Sequence, residues 1–271
     1  MQQIHWYPGH MAKAKKQLTE LMKYLDLILE VRDARLPLAS HNDDLDSLLE
    51  RRPTFIVLNK VDLADPVKTV AWCKWFGNKG LPVVTVNGKS GQGLTNVWAM
   101  LEAQLPVLKF KRSLRIGVVG IPNVGKSTIL NRLLETGAAK TGNLPGVTRG
   151  KQWVRRNGFE ILDTPGLLPP KIVSQENGLK LALIGTIREE ILPAYDLVMI
   201  LLERYGDRVI EVTEPIFPEE MLERYAKKRG FIIKGGAPDL NRTASTLLKE
   251  FRNGQLGRIS LEDPPTVEPA G

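Results

Sequence analysis

Cysteine is almost missing: Cys73 is the single one in 271 residues. That excludes an internal disulfide and any zinc cluster built on cysteines. Cys73 lies among Trp72, Trp75 and Phe76 and reads as an inert buried thiol. No apolar run approaches the ~18 residues that a spanning helix needs. The start, Gln2-Gln3-Ile4-His5, lacks the apolar core of a signal peptide. A cytoplasmic, reducing compartment is therefore the expectation. Acidic residues are the scarcer charge, 30 against 38 Lys and Arg, a net charge of +8. Such a balance fits either a merely basic soluble protein or one with a polyanionic partner. No internal repeat is present.

What remains is ordinary globular material. Apolar residues make up 42% and charged residues 25%, enough for a packed core and against wholesale disorder. The length suits a larger domain with a smaller appendage.

Residues 11–23 read as a basic amphipathic helix. Short β-rich runs follow at 25–31, 54–58, 82–86 and 114–119, with helical stretches at 67–76 and 94–105 between them. A further helix is expected over 43–50, and a charged loop at 32–37. Asn157-Gly158 is a hairpin signal between 152–156 and 159–162. This alternation predicts an α/β fold with a mostly parallel sheet and one antiparallel hairpin. Beyond residue 169 the texture changes, with helices expected at 177–190, 192–204, 219–228 and 242–253. The expected division is a nucleotide domain over 1–170, a helical domain over 171–262 and a disordered tail over 263–271.

Gly120-Ile121-Pro122-Asn123-Val124-Gly125-Lys126-Ser127 matches G-x-x-x-x-G-K-[ST]. It follows an expected strand and opens an expected helix, the context that a phosphate-binding loop requires. Its glycines let backbone N–H groups turn toward phosphates, and the helix N-terminus adds partial positive charge. The run Asn123, Val124, Gly125, Lys126, Ser127 and Thr128 is the expected cradle. Lys126 reaches the terminal phosphates and Ser127 binds Mg²⁺.

Asp163-Thr164-Pro165-Gly166 ends a later strand. Asp163 can hold Mg²⁺ through water, and the Gly166 N–H can bond the γ-phosphate. Thr148, in the Gly- and Pro-rich stretch 142–150, is the expected second Mg²⁺ ligand, closing only over a γ-phosphate. Upstream, Asn59-Lys60-Val61-Asp62 ends another strand. The Asp62 carboxylate accepts two bonds from guanine N1–H and the exocyclic amine, a donor pair that adenine lacks. Asn59 is expected at the base's other edge, and the Lys60 stem along its face. Asn87-Gly88-Lys89 resembles the S-A-K loop of Ras-like GTPases, whose backbone touches guanine.

The order of these motifs is the informative part. In Ras-like proteins the phosphate loop comes first and the base-reading motif later. Here the base-reading motif precedes the phosphate loop, so the domain is circularly permuted, with 106–113 as the new join. Taken with Trp6-Tyr7-Pro8-Gly9-His10-Met11, Asp33-Ala34-Arg35-Leu36-Pro37, Lys228-Arg229-Gly230 and Gly235-Gly236, the chain resembles the circularly permuted GTPases of ribosome assembly over nearly its whole length.

That resemblance implies a P-loop fold followed by an RNA-binding helical bundle. It implies a GTPase switch that assists late assembly of the large ribosomal subunit. The expected partners are GTP and GDP, the subunit and its rRNA, with no membrane and no DNA; oligomeric state is left open. Arg224, Lys227, Lys228, Arg229, Lys234, Arg242, Lys249, Arg252 and Arg258, with few acids between them, fit an RNA surface better than a plain solvated face. Where Ras carries a water-orienting Gln, this chain has Leu167, so the intrinsic rate should be slow and stimulated by the subunit. The resemblance points to His10 as the catalytic replacement; the alternative is a structural or rRNA-contacting histidine. It also makes Asn123 a candidate K⁺ ligand beside the phosphates. A GTP-sensing scaffold with negligible turnover is the competing function, and a GTPase acting on tRNA or a membrane translocation partner is a third.

Overall fold

The computed structural model describes residues 9–43, 46, 52–104, 112–135, 140–142, 153–156, 158–164, 174–187, 192–210 and 216–266. They divide into two compact units. The described residues within 5–171 and 262–271 form one, and those within 172–261 the other.

The first unit starts with helix α1 (Gly9–Met22), which buries Leu18, Leu21 and Met22. Strands β1 (Leu27–Asp33), β2 (Thr54–Asn59) and β3 (Val83–Val86) alternate with helices α2 (Pro66–Asn78) and α3 (Leu94–Glu102). Strand β4 (Leu114–Val119) and helix α4 (Lys126–Glu135) follow, then β5 (Lys140–Gly142), β6 (Trp153–Arg156) and β7 (Phe159–Asp163). The sheet has seven strands in the order β3-β2-β1-β4-β7-β6-β5. The first five are parallel, and β6 and β5 are antiparallel.

Strand β1 is the middle one of the five parallel strands and is buried along its whole length. A central parallel strand is covered on both faces, so it reads as a continuous apolar run rather than an alternation. Its charged end was expected to be a loop, but Arg32 and Asp33 are its last two residues, in register with Leu58 and Asn59 of β2. The charges are tolerated because each is paired inside. Arg32 Nη2 donates to Glu30 Oε2 at 2.8 Å, and its guanidinium lies 5.5 Å from the centre of the Phe76 ring.

Helix α2 starts where Asp65 caps it, accepting from the Val67 and Lys68 N–H groups at 2.9 and 3.2 Å, with Pro66 at the first helical position. Such a cap is worth about 1 kcal/mol. Trp72 and Phe76, one turn apart, then pack onto Ala34, Ile56, Leu58 and Ala64. Helix α4 packs against β4 and β7.

The second unit is helical: α5 (Gln175–Leu183), α6 (Ala194–Val209), α7 (Pro218–Arg229) and α8 (Leu240–Arg252). Helix α6 contacts each of the other three. Ala244, Leu247, Leu248 and Phe251, at helical spacing, bury one face of α8. Helix α5 is shorter than expected, because the chain turns at Ile184 and Gly185. The last described stretch returns to the first unit. There the Glu262 carboxylate accepts from Leu38 N–H at 2.9 Å and Ala39 N–H at 3.0 Å, and Lys68 pairs with Asp263 at 2.8 Å. Residues 267–271 of the expected tail lie outside the described residues. Among those described, no helix is long and apolar enough to cross a membrane.

Candidate functional site

Strands β1 and β4 are neighbours, and the chain leaves β1 toward β2 on one side and β4 toward β7, β6 and β5 on the other. Beyond the carboxyl ends of strands at such a switch point a parallel sheet opens a crevice, the usual place for a ligand. The sequence motifs lie at those ends. Asp33 ends β1, Asn59 ends β2, Asn87 follows β3, Gly120 follows β4 and Asp163 ends β7. Asp163 is in register with Val118, two residues before the phosphate loop starts.

The loop from Gly120 to Ser127 turns tightly. Gly120 has φ +145°, and a Cβ there would lie 2.4 Å from the Val31 carbonyl oxygen. Only a glycine lets β4 leave the sheet so close to β1. Gly125 has φ +96°, and its Cβ would meet Asn59 Nδ2 at 2.3 Å. Lys126 is buried and folds across the loop, donating to the Ile121 carbonyl at 2.9 Å. Ser127 and Thr128 are exposed in the first turn of α4, where the helix leaves its N–H groups toward the crevice.

Asn59 ties three loops together. Its Nδ2 donates to the Val124 carbonyl at 2.7 Å, and its Oδ1 accepts from the Gly88 N–H at 2.9 Å. The amide has a second N–H besides the one bonded to Val124. Lys60 Nζ donates to the Asn123 carbonyl at 2.6 Å. The base-reading motif is thereby bonded directly to the phosphate loop, 63 and 65 residues away in sequence. Asn87 shapes the third loop: its Oδ1 accepts from the N–H groups of Lys89 and Ser90 at 3.0 and 3.2 Å. The Lys89 carbonyl accepts from Arg132 of α4 at 2.5 Å. Asp62 follows on the turn after β2, partly exposed.

One part of the site was not anticipated. Asp33 and Arg35 are both fully buried, and Arg35 donates to the carboxylate of Asp33 through Nε at 3.0 Å and Nη2 at 2.9 Å. Lys60 Nζ lies 3.0 Å from Asp33 Oδ2. Burial alone would raise the Asp33 pKa, but the Arg35 guanidinium and the Lys60 ammonium overcome it and hold the carboxyl far below the usual range. The only sequence signal was Asp-Ala-Arg at the end of an apolar run. Next to it, Glu30 is held down at about 2: burial opposes its charge, while Arg32 and His41 favour it.

Other expected members are placed less fully. His10 lies on the first turn of α1 and Asp163 on β7, as backbone only. Thr148, Gly166 and Leu167 lie outside the described residues. His41 is taken up by Glu30, Nδ1 to Oε1 at 2.6 Å. Cys73 is half-buried, and burial pushes its thiol up.

In the helical unit several of the nine basic residues are already engaged, partly by acids that precede Arg224 in the chain. Arg224 pairs with Glu220 at 2.7 Å, Lys227 with Glu223 at 4.0 Å and Arg229 with Glu250 at 2.5 Å. Arg252 donates to the Ala182 and Leu183 carbonyls at 2.7 and 2.9 Å. Arg242 stacks 4.5 Å from the centre of the Phe231 ring. Lys228, Lys234, Lys249 and Arg258 are exposed.

Known proteins resemble this chain over almost its whole length. Ribosome biogenesis GTPase A of Bacillus cereus is 39% identical over 280 residues, covering 96% of this chain and 94% of that protein. The chain belongs to the ribosome biogenesis GTPase A family. The Thermotoga maritima member is 37% identical, covering 98% of this chain and 97% of its own length. A GNP-bound structure of YlqF from T. maritima aligns with a TM-score of 0.70 at 33% identity, over 94% of this chain and 100% of that one. Residues 115–233 match the family described as 50S ribosome-binding GTPase, and residues 49–172 match the RsgA GTPase family. As a member of the ribosome biogenesis GTPase A family the chain is a GTPase with a circularly permuted nucleotide domain.

Proposed function

We propose that this GTPase binds the large ribosomal subunit in its GTP state, assists late assembly there, and leaves after hydrolysing GTP to GDP and phosphate. The observation that carries the nucleotide half is the Asn59 amide, bonded at once to Val124 of the phosphate loop and Gly88 of the third loop. One guanine nucleotide can lie across all three. Relatives named as GDP-bound and GNP-bound YlqF support that occupancy. The ribosomal half is supported by the names of the relatives and by the exposed Lys228, Lys234, Lys249 and Arg258, which suit an RNA backbone.

Within the site, Lys126 lies in the loop where the terminal phosphates would sit, and Asp62 selects guanine. The donor set fits Mg²⁺: the Ser127 hydroxyl at the start of α4 and a carboxylate residue, Asp163, on the strand beside β4, with Thr148 as the third. All three are hard oxygen donors. When bound, the ion would neutralise charge on the β- and γ-phosphates. Asn123, with φ +63°, stands in the loop where a K⁺ ligand would be needed. Leu167 cannot hydrogen-bond water, so hydrolysis by the free protein is slow and His10 supplies the missing group on the subunit.

The test is GTP turnover with and without purified large subunits, in wild type and His10→Ala. Stimulation by subunits in wild type, lost in His10→Ala, is the expected result. Full stimulated activity in His10→Ala overturns the role of His10, and no turnover in either condition leaves a GTP-sensing scaffold. Equal turnover in sodium and potassium buffers would remove the K⁺ site.

A further inference from the structure

Lys60 is held from two directions. Its ammonium lies 2.6 Å from the Asn123 carbonyl oxygen and 3.0 Å from Asp33 Oδ2. Both Lys60 and Asn123 have positive φ, +62° and +63°, and they are the non-glycine residues with that backbone among those described. Left-handed backbone is unfavourable for residues with a Cβ, so it persists only where the surroundings over-determine it. Here the two strained residues are joined by one hydrogen bond, which closes the base-reading turn onto the phosphate loop.

Asp33 has no capacity left for anything else. Its Oδ1 accepts from the Arg35 N–H and Nε, both at 3.0 Å, and its Oδ2 from Arg35 Nη2 at 2.9 Å. The position is itself fixed: the Asp33 N–H donates to Ser40 Oγ at 3.0 Å, and the next N–H, of Ala34, donates to the Asn59 carbonyl at 2.8 Å. Buried ion groups of this kind contribute little net stability, because desolvation offsets attraction. What this one does is hold a single partly exposed ammonium at a defined place.

We propose that Asp33, oriented by Arg35, is a positioning residue for guanine nucleotide: it holds Lys60 against the Asn123 carbonyl, so that the lysine stem is in place for the base before nucleotide arrives. Asp33 touches no nucleotide itself. This rests on the guanine-nucleotide reading of the same loops. Removing the charge frees the Lys60 ammonium to water, lets the turn relax, and makes nucleotide binding restore the order. The cost therefore falls on affinity and leaves the hydrolysing groups alone.

The experiment uses the full chain and fluorescent GDP, with wild type, Asp33→Asn, Lys60→Met and the double variant, each first checked by thermal unfolding. Asp33→Asn should raise the Kd for GDP by about 10- to 100-fold, the worth of a charge-assisted bond. KM for GTP should rise in step while kcat at saturation stays within about 2-fold, since differential transition-state contacts are untouched. Lys60→Met should weaken GDP similarly, and Asp33→Asn in that background should add less than about 3-fold. Additive losses, or GDP affinity in Asp33→Asn within about 2-fold of wild type, overturn the proposal. Should Asp33→Asn fail to fold, Lys60→Met at its partly exposed position carries the test alone, and unchanged GDP affinity there overturns it equally. A wild-type chain without guanine-nucleotide affinity would instead sink the nucleotide reading.

Discussion

The two units are held together in different ways. In the nucleotide unit the decisive polar contacts join residues far apart in sequence. Asn59 reaches Val124, Lys60 reaches Asn123, and Glu262 reaches Leu38 and Ala39, across 65, 63 and 224 to 223 positions. They are supported by buried charges such as Asp33, Arg35 and Glu30. In the helical unit many ion pairs span one helical turn at the surface, as with Arg224 and Glu220 or Lys227 and Glu223. Its cohesion comes from apolar stripes, Leu247 and Phe251 on α8 against α6. The lesson is that one unit stores its specificity in long-range polar geometry and the other its stability in packing. Single substitutions should therefore damage function in the first and folding in the second.

The largest effect is expected at Asp62. Asp62→Asn replaces an acceptor pair with one acceptor and one donor, so preference for GTP over the matching xanthine nucleotide should fall by about 10³-fold or more, read from competition binding. Unchanged preference would mean that Asp62 does not read the base. Next, Lys126→Ala should lower turnover by about 10²- to 10³-fold with little change in melting temperature. If it unfolds the protein instead, the contrast between the units fails. In the helical unit, Leu247→Ala opens a cavity at a fully buried position and should cost about 2–5 kcal/mol of that unit's stability while leaving GDP affinity within 2- to 3-fold, an order-of-magnitude bound. Loss of GDP binding there would show that the units are not separable in this way.

Smaller effects sharpen the contrast. Glu30 has a carboxyl held down at about 2 from an ordinary 4.5. The folded protein thus binds this proton less readily than the unfolded chain does, so stability from Glu30 is complete above about pH 4.5 and is lost as pH falls toward about 2. Glu30→Gln should flatten the acid limb of a stability-against-pH curve over that window. An unchanged slope would contradict the pairing with Arg32 and His41. Least of all, Glu220→Ala removes an exposed one-turn pair and should change stability by less than about 1 kcal/mol.

Legibility in the sequence follows the same division. Motifs whose chemistry is local were readable: the phosphate loop needs only its own glycines, lysine and serine, and the helix that follows it. The helix expected over 67–76 was equally plain, and Asp65 with Pro66 gives α2 its start. The end of β1 was not, because Arg32 and Asp33 look like surface charges until partners 2 to 27 residues away are in place. The role of Asp33 toward Lys60 was hidden for that reason. Strand β5 was missed because Lys140, Thr141 and Gly142 carry no apolar alternation; pairing with β6 alone makes them a strand. The anchoring of Glu262 was invisible too, since an acidic, proline-rich end looks loose unless its carboxylate is known to meet two N–H groups.

The most direct test is calorimetric titration of the wild-type chain with GDP and, separately, with ATP. Loops joined through Asn59 should give one GDP per chain, with ATP weaker by about 10³-fold or more. ATP bound as tightly as GDP, or two independent nucleotide sites, would contradict a single cavity shared by the base-reading and phosphate-binding loops.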